Sequence, residues 1–392
     1  MSRETRKALI ERIEKLRGSR VVTYITGDRN PTAAQIGDDA VRPLYEQLRT
    51  FGKKTDKIDL FIYSRGGAID VPWRIASALR QASDCWNILV PFRANSAATL
   101  IALGADQIVF GRHGELGPID PILSVERMVR GPGGGGSVQE NINVEDLMSY
   151  VRFVRERAGL SDQASLTHSL AKLTDRLDAL LLGNAYRTHS HIRDVARRMI
   201  SSRKEAPKEQ TLETIVETLA ERVYAHGHAI CSADAEQIGL PVVIPDETLE
   251  AAMWELWTAY EGDLKVSEPI DPFVATAGKD LYEEEGVIAI IETTAMAFEH
   301  QGKIEIRAER QMPQNLNLSV TVNLQLPPQV AQAMQSGQRL ADLGQVFQQM
   351  MQQAQQDLTQ RANQAVQDAL RSQAPVAGLQ AGFRGGRWVR VV

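Results

Sequence analysis

A chain of 392 residues with 43% hydrophobic side chains is long enough to bury sizeable cores, and at about 150 residues per domain it suggests two or three of them. The 44 basic and 49 acidic side chains leave a formal net charge of -5, spread along the chain, which argues against nucleic acid as the main partner. The two cysteines, Cys85 and Cys231, fit no disulfide or metal spacing; the charged stretch Met1 to Arg20 lacks a signal-peptide core, and no apolar run reaches the roughly 18 residues of a bilayer span, so a soluble, cytoplasmic protein without a transmembrane segment is expected.

Thr5 to Leu16 places Leu9, Ile10, Ile13 and Leu16 at helical spacing among charges. Arg20 to Thr26 is a β-branched strand closed by Gly27-Asp28. The helical period returns from Ile36 to Phe51, and Ile58 to Tyr63 reads as a second strand ended by Ser64-Arg65-Gly66-Gly67. A helix over Val71 to Ala82, a strand over Asn87 to Phe92, a helix over Ser96 to Leu103 and a strand over Gln107 to Phe110 follow. This alternation predicts an α/β fold of right-handed βαβ units with a mainly parallel sheet.

Beyond Phe110 the glycine tract Gly131 to Gly136 follows no strand and leads to no Lys-Ser/Thr pair, so it reads as a flexible connection and not a phosphate loop. Helices are expected over Val144 to Ala158, Ser165 to Arg198 and Thr211 to Ala225, then a short capped helix from Ser232 and an apolar strand from Val242 to Ile244. Leu249 to Tyr260 is helical in pattern. Strands over Gly286 to Thr294, Lys303 to Arg310 and Leu316 to Gln325 would form a small β element separate from the parallel sheet. After Pro327-Pro328, Leu340, Leu343, Phe347, Met350, Ala354 and Leu358 recur at spacings of three and four in a glutamine-rich helix, which suits a coiled-coil-like seam, either with a helix of an identical subunit or folded back on its own domain. The tail from Gly382 to Val392 reads as mobile. The expected organisation is a main domain over residues 1–250, a β-containing region over 251–327, and a helix with tail over 328–392.

The chemistry centres on Ser96, at a turn between a buried strand and a helix. The first N–H groups of a helix lack intrahelical partners and favour an anion, which suits a nucleophile that must generate an oxyanion; a plain helix cap is the competing role. In a parallel sheet, two further loops should stand beside it. Paired glycines after a strand let the Gly67 N–H turn toward a ligand, so Gly67 and Ala97 could form an oxyanion hole. The other loop is Gly114 to Pro121, with Asp120 held between Ile119 and Pro121.

Taken together, the run from Ile58 through Ser64-Arg65-Gly66-Gly67, the run Ser96 to Asp106, and Glu115-Leu116-Gly117-Pro118-Ile119-Asp120-Pro121 resemble the Clp-fold serine peptidases. These include the Clp proteolytic subunit, signal peptide peptidase A and the serine dehydrogenase proteinases, the last being the nearest likeness. The resemblance covers about Arg6 to Pro245. It implies a Clp/crotonase-like spiral with a mainly parallel sheet, Ser96 as nucleophile, Gly67 and Ala97 as oxyanion hole, a peptide or protein substrate, homo-oligomeric assembly, and no cofactor or metal. There is no Gly-x-Gly-x-x-Gly after a strand and no lysine in a pyridoxal-phosphate setting, so dehydrogenase chemistry is not expected.

For the general base the likeness divides. The Clp proteolytic subunit has a histidine near the position of Asp120, and signal peptide peptidase A uses a lysine. A desolvated Lys172, among the apolar neighbours Leu170, Ala171 and Leu173, is the first candidate; His226 and His228 are the next, with Asp120 as an orienting carboxylate. His189 and His191, two apart on a helix, point to different faces and are not expected to share a metal ion. Two other readings stand beside the peptidase: an acyl-coenzyme A enzyme using the same hole for an enolate, and a non-catalytic scaffold.

Overall fold

A computed structural model describes residues 2–131, 134–175, 177–222, 228–311 and 341–391. Helix α1 (Arg3–Arg17) precedes β1 (Arg20–Thr26), α2 (Val41–Arg49) precedes β2 (Thr55–Tyr63), and α3 (Val71–Ala82) precedes β3 (Ser83–Val90). The short β4 (Arg93–Ala94), α4 (Ala97–Leu103), β5 (Ile108–Phe110) and β6 (Glu115–Leu116) follow, then the hairpin β7 (Ile122–Gly131) and β8 (Gly134–Asn143). Helices α5 (Val144–Arg152), α6 (Gln163–Thr174), α7 (Ala179–Ser201), α8 (Glu209–Glu217) and α9 (Ser232–Gln237) lead to β9 (Val242–Val243). The chain continues through α10 (Glu247–Asp263), α11 (Pro272–Ala275), β10 (Leu281–Glu292), β11 (Ala297–Arg310), α12 (Ala341–Gln373) and β12 (Val376–Val391).

The fold is α/β with a large, mostly parallel sheet of order β12-β11-β10-β1-β2-β3-β5-β9. The pairs β1-β2, β2-β3, β3-β5 and β5-β9 are parallel, and β10 runs antiparallel to β1. The expected separate β element is therefore corrected: Gly286 to Thr294 and Lys303 to Arg310 fall in strands of this large sheet, and Leu316 to Gln325 lies outside the described residues. The physical reason is edge pairing. The end of β10 is buried in the pattern of a covered strand, and it satisfies the free edge of β1.

Two compact units interleave in sequence: residues 1–269, 285–302 and 385–392 form one, and 270–284 with 303–384 the other. In the larger unit, α1 and α10 cover one sheet face, where Ile10, Ile13, Trp257 and Tyr260 pack on Val21, Phe61 and Tyr63. The opposite face carries α2, α3, α4, α7 and α8 over Val22, Leu60, Ile62 and Ile88. These strands are apolar on both faces because both faces are covered. The smaller unit has its own core at Ile270, Ile304 and Ile306.

Three further expectations are corrected. The span Ser165 to Arg198 is two helices, because Asp178 takes the extended backbone of an N-cap and accepts the Leu180 N–H at 2.7 Å. The glycine tract does not merely connect: Gly131 pairs with Gly134 at the end of a ten-pair antiparallel ladder. The tail is a strand up to Val391. Within the larger unit Trp388 stacks on His300 at 5.1 Å, and its indole N–H donates to Asp39 at 2.8 Å.

Candidate active site

At the carboxyl edge of the large sheet, the loops leaving the strands pair with one another in a second, smaller layer. Ile36 bridges Gly67, Ser64 bridges Ala94, β4 pairs with β6, and Leu116 bridges Ile230. Segments that follow β1, β2, β3 and β5 are thereby stitched side by side. Ser96 and the Gly66-Gly67 turn meet in this layer.

Ser96 has φ 50° and ψ -112°, a conformation rare for a residue with a side chain. It precedes α4, yet its hydroxyl does not cap the helix. The capping role is thus unfilled, and the side chain is half-buried. The turn is held from outside: the Asn95 N–H donates to Ser64 O and the Ser64 N–H to Arg93 O, both at 3.0 Å. The buried Thr99 hydroxyl donates to Ala94 O at 2.7 Å and to Gly117 O at 2.9 Å, and accepts the Gly117 N–H at 3.1 Å. Thr99 thus ties α4 to the loop that carries Asp120.

Gly66 has φ 116° and a Cβ there would meet the Ser96 Cβ at 2.7 Å; a Cβ on Gly67 would meet Ile36 O at 2.3 Å. Glycine is required at both positions because the backbone itself packs against Ser96 and Ile36. The Ile36 N–H donates to Gly66 O at 2.8 Å and the Ala68 N–H to Ile36 O at 2.9 Å, whereas the intervening Gly67 N–H is unpaired among the described residues. The Ala97 N–H is unpaired in the same sense, since the helical pairing begins with Ala98 to Asn95 O. An unsatisfied N–H in a partly buried site costs free energy unless something accepts from it.

The remaining sequence candidates are dispersed. Asp120 is 4% exposed and accepts from Asn143 Nδ2 at 2.5 Å. Lys172 is on α6 with its side chain 65% exposed, 3.7 Å from Asp175. The desolvation expected for it is absent, because α6 has no buried residue. His228 is exposed, and His226 lies outside the described residues. His191 Nε2 is 3.0 Å from Asp70 Oδ1, both side chains being largely solvated.

Sequence reasoning weighed His189 only as a metal ligand and not as a base. It occupies the buried stripe Ala185, His189, Ile192, Ala196, Met199 of α7, at spacings of four and three. Its Nε2 lies 3.7 Å from Glu145 and 4.0 Å from Glu221, with Arg193 at 3.2 Å. Burial first, then Arg193 and Arg152, push the imidazole below its ordinary value of 6.5, so it is neutral at pH 7. A polar residue at a core position of the stripe was the available signal.

In the loops that flank the glycine turn and the Ser96 turn, Asp28 accepts from Tyr63 Oη at 2.8 Å and Arg65 Nε at 2.6 Å, and Glu115 accepts from Arg93 Nε at 3.0 Å. Arg65 and Arg93 are thus each paired with a carboxylate. Among the described residues no group of three or more His, Cys, Asp or Glu side chains could hold a metal ion, and no helix is long and apolar enough to cross a membrane.

Residues 1–128 match the family model of ClpP-like SDH-type serine proteinases. Two uncharacterized proteins of Methanocaldococcus jannaschii are similar. One is 41% identical over 70 residues, covering 18% of this chain and 24% of that protein. The other is 32% identical over 123 residues, covering 29% and 40%. The chain therefore matches less than half the length of either relative. Among solved structures, ClpP1 from Listeria monocytogenes aligns with a TM-score of 0.32 and 13% identity, over 60% of this chain and 98% of that one.

Proposed function

We propose that this protein is a serine peptidase that cleaves a peptide bond through an acyl-enzyme on Ser96. The observation that carries the reading is the Ser96 turn: a left-handed serine, its hydroxyl not used as a cap, packed against Gly66 and flanked by the unpaired N–H groups of Gly67 and Ala97. The match of residues 1–128 to a serine proteinase family supports the same chemistry.

In this mechanism Ser96 Oγ attacks the carbonyl carbon of the scissile bond and its proton passes to a base. The carbonyl oxygen becomes an oxyanion, accepted by the N–H groups of Gly67 and Ala97. The C–N bond then breaks, the departing amine takes the proton from the base, and Ser96 holds the acyl group. Water adds to the ester, the base takes a proton from it, and the acid leaves with Ser96 Oγ reprotonated. Preorganised donors of this kind are worth about 100- to 1000-fold in rate each. Of the bases considered, Lys172 has the least suitable setting, because its side chain is 65% exposed beside Asp175 and lacks the burial a lysine base needs. His189, neutral and half-buried, has the electrostatic setting a base needs. His226 and Asp120 complete the set to be tested.

The experiment is labelling by a fluorophosphonate probe, with Ser96→Ala, Lys172→Ala, His189→Gln, His226→Gln and Asp120→Asn compared with wild type. Labelling absent only in Ser96→Ala and one base variant supports the reading and assigns the base. A well-folded wild type that takes no label overturns it in favour of a scaffold, or of a coenzyme A thioester enzyme if that ligand binds.

Assembly from identical subunits belongs to the same proposal, with α12 as the contact. Its Met350 and Leu358 are 64% and 44% exposed along the apolar seam.

A further inference from the structure

The mechanism leaves unused a buried pair of hydroxyls directly beneath the Gly66-Gly67 turn. Ser64, fully buried, accepts the Gly66 N–H at 3.0 Å and the Thr26 hydroxyl at 2.8 Å through its Oγ. Its own hydroxyl proton faces Gly66 O at 3.4 Å. Its backbone pairs on the other side with Arg93 O and the Asn95 N–H, the strand that enters the Ser96 turn. One residue is therefore bonded through its side chain to the glycine turn and through its main chain to the nucleophile turn.

We infer that Ser64, oriented by Thr26, is a positioning residue that fixes the two peptides flanking Gly66 and with them the direction of the Gly67 N–H beside Ser96. Gly66 has no side chain and lies at φ 116°, so nothing intrinsic to it prevents rotation of its peptide. Gly66 O, in the peptide that carries the Gly67 N–H, accepts from the Ile36 N–H and faces the Ser64 hydroxyl, while the Gly66 N–H, in the preceding peptide, donates to Ser64 Oγ. The Thr26 hydroxyl takes one lone pair of Ser64 Oγ, which leaves the other for the Gly66 N–H and turns the Ser64 proton toward Gly66 O. Thr26 closes β1 and Ser64 follows β2, and these strands are parallel neighbours with Ile25 opposite Tyr63, so sheet register sets the hydroxyl pair. Without Ser64 Oγ the peptide that carries the Gly67 N–H keeps only its bond from Ile36, and a misplacement of about 1 Å costs on the order of 100-fold.

This inference rests on the serine peptidase reading. Its test is the inactivation of the full chain by a fluorophosphonate, in which the Ser96 Oγ–P bond forms, the P–F bond breaks, fluoride leaves and the serine proton goes to the base. Ser64→Ala and Thr26→Val are expected to lower the maximal inactivation rate about 10- to 100-fold, with the half-saturating probe concentration unchanged. Thr26→Ser, which keeps the donor, is expected to recover most of the rate. Hydrogen exchange at the Gly66 amide should quicken in Ser64→Ala and Thr26→Val while amides of β2 and β3 keep their protection. A labelled wild type with both variants inactivated at its rate overturns the positioning role and leaves the peptidase reading intact. A folded wild type that takes no label overturns both. Should Ser64→Ala fail to fold, Thr26→Val and Thr26→Ser decide, since the first keeps the shape of threonine without the donor and the second keeps the donor without the methyl.

Discussion

Gly66 lies directly against Ser96: a Cβ on the glycine would stand 2.7 Å from the serine Cβ and 3.2 Å from its Oγ. The contact joins the turn after β2 to the turn after β3, and it leaves no room for a side chain between them. Gly66→Ala is therefore expected to abolish fluorophosphonate labelling. The left-handed backbone and the clash should also cost about 1–3 kcal/mol of stability. Chemical denaturation alongside the labelling assay checks both effects.

Thr99 offers a test of the scaffold under Ser96. Its hydroxyl makes three bonds in a fully buried position, and valine keeps the shape while removing them. Thr99→Val is expected to destabilise the protein by about 1–3 kcal/mol, since two carbonyls and an N–H lose a buried partner. The denaturant midpoint measures this.

His189 gives a pH signature. Its folded pKa is depressed, by burial first and then by Arg193 and Arg152, so between that value and about 6.5 the unfolded chain binds a proton the folded one does not. Stability is full above pH 6.5 and declines as pH falls through the unfolded value, levelling off below the folded one. His189→Gln is expected to flatten that decline, and unfolding curves from pH 7.5 to pH 5 would show it. An unchanged slope would remove His189 from the account.

At the end of the chain, Trp388 stacks on His300 and donates to Asp39. Trp388→Ala should lower stability by about 0.5–1.5 kcal/mol from the ring contact. Limited proteolysis should then cut faster in the segment 385–391.

If α12 mediates assembly, Leu358→Glu places a charge on the apolar seam. Sedimentation velocity is expected to shift toward smaller species while helicity is retained, and an unchanged distribution would exclude this seam as the contact.

The β-branched runs and glycine turns made the parallel sheet legible from residues alone, because strands covered on both faces must be apolar throughout. So was the grouping of the Gly66-Gly67 turn, Ser96 and the Asp120 loop at one sheet edge, which parallel connection imposes. Helix breaks and edge pairing were less legible. The break before α7 depends on one aspartate acting as a cap, and the tail from Gly382 looks mobile until β12 is seen in the sheet. Lys172 had apolar sequence neighbours, but α6 buries none of its residues.

The local code of this protein, its strand and helix types and its glycines at tight turns, is determined by sequence, because periodicity and φ preference act over a few residues. Tertiary structure alone decided that Ser96 leaves its helix uncapped, that Ser64 and Thr26 meet beneath Gly66, and that His189 sits among the charges of Glu145, Arg193 and Glu221. Each of these depends on groups brought together from distant parts of the chain, and no local preference specifies which of the many possible partners will be adjacent.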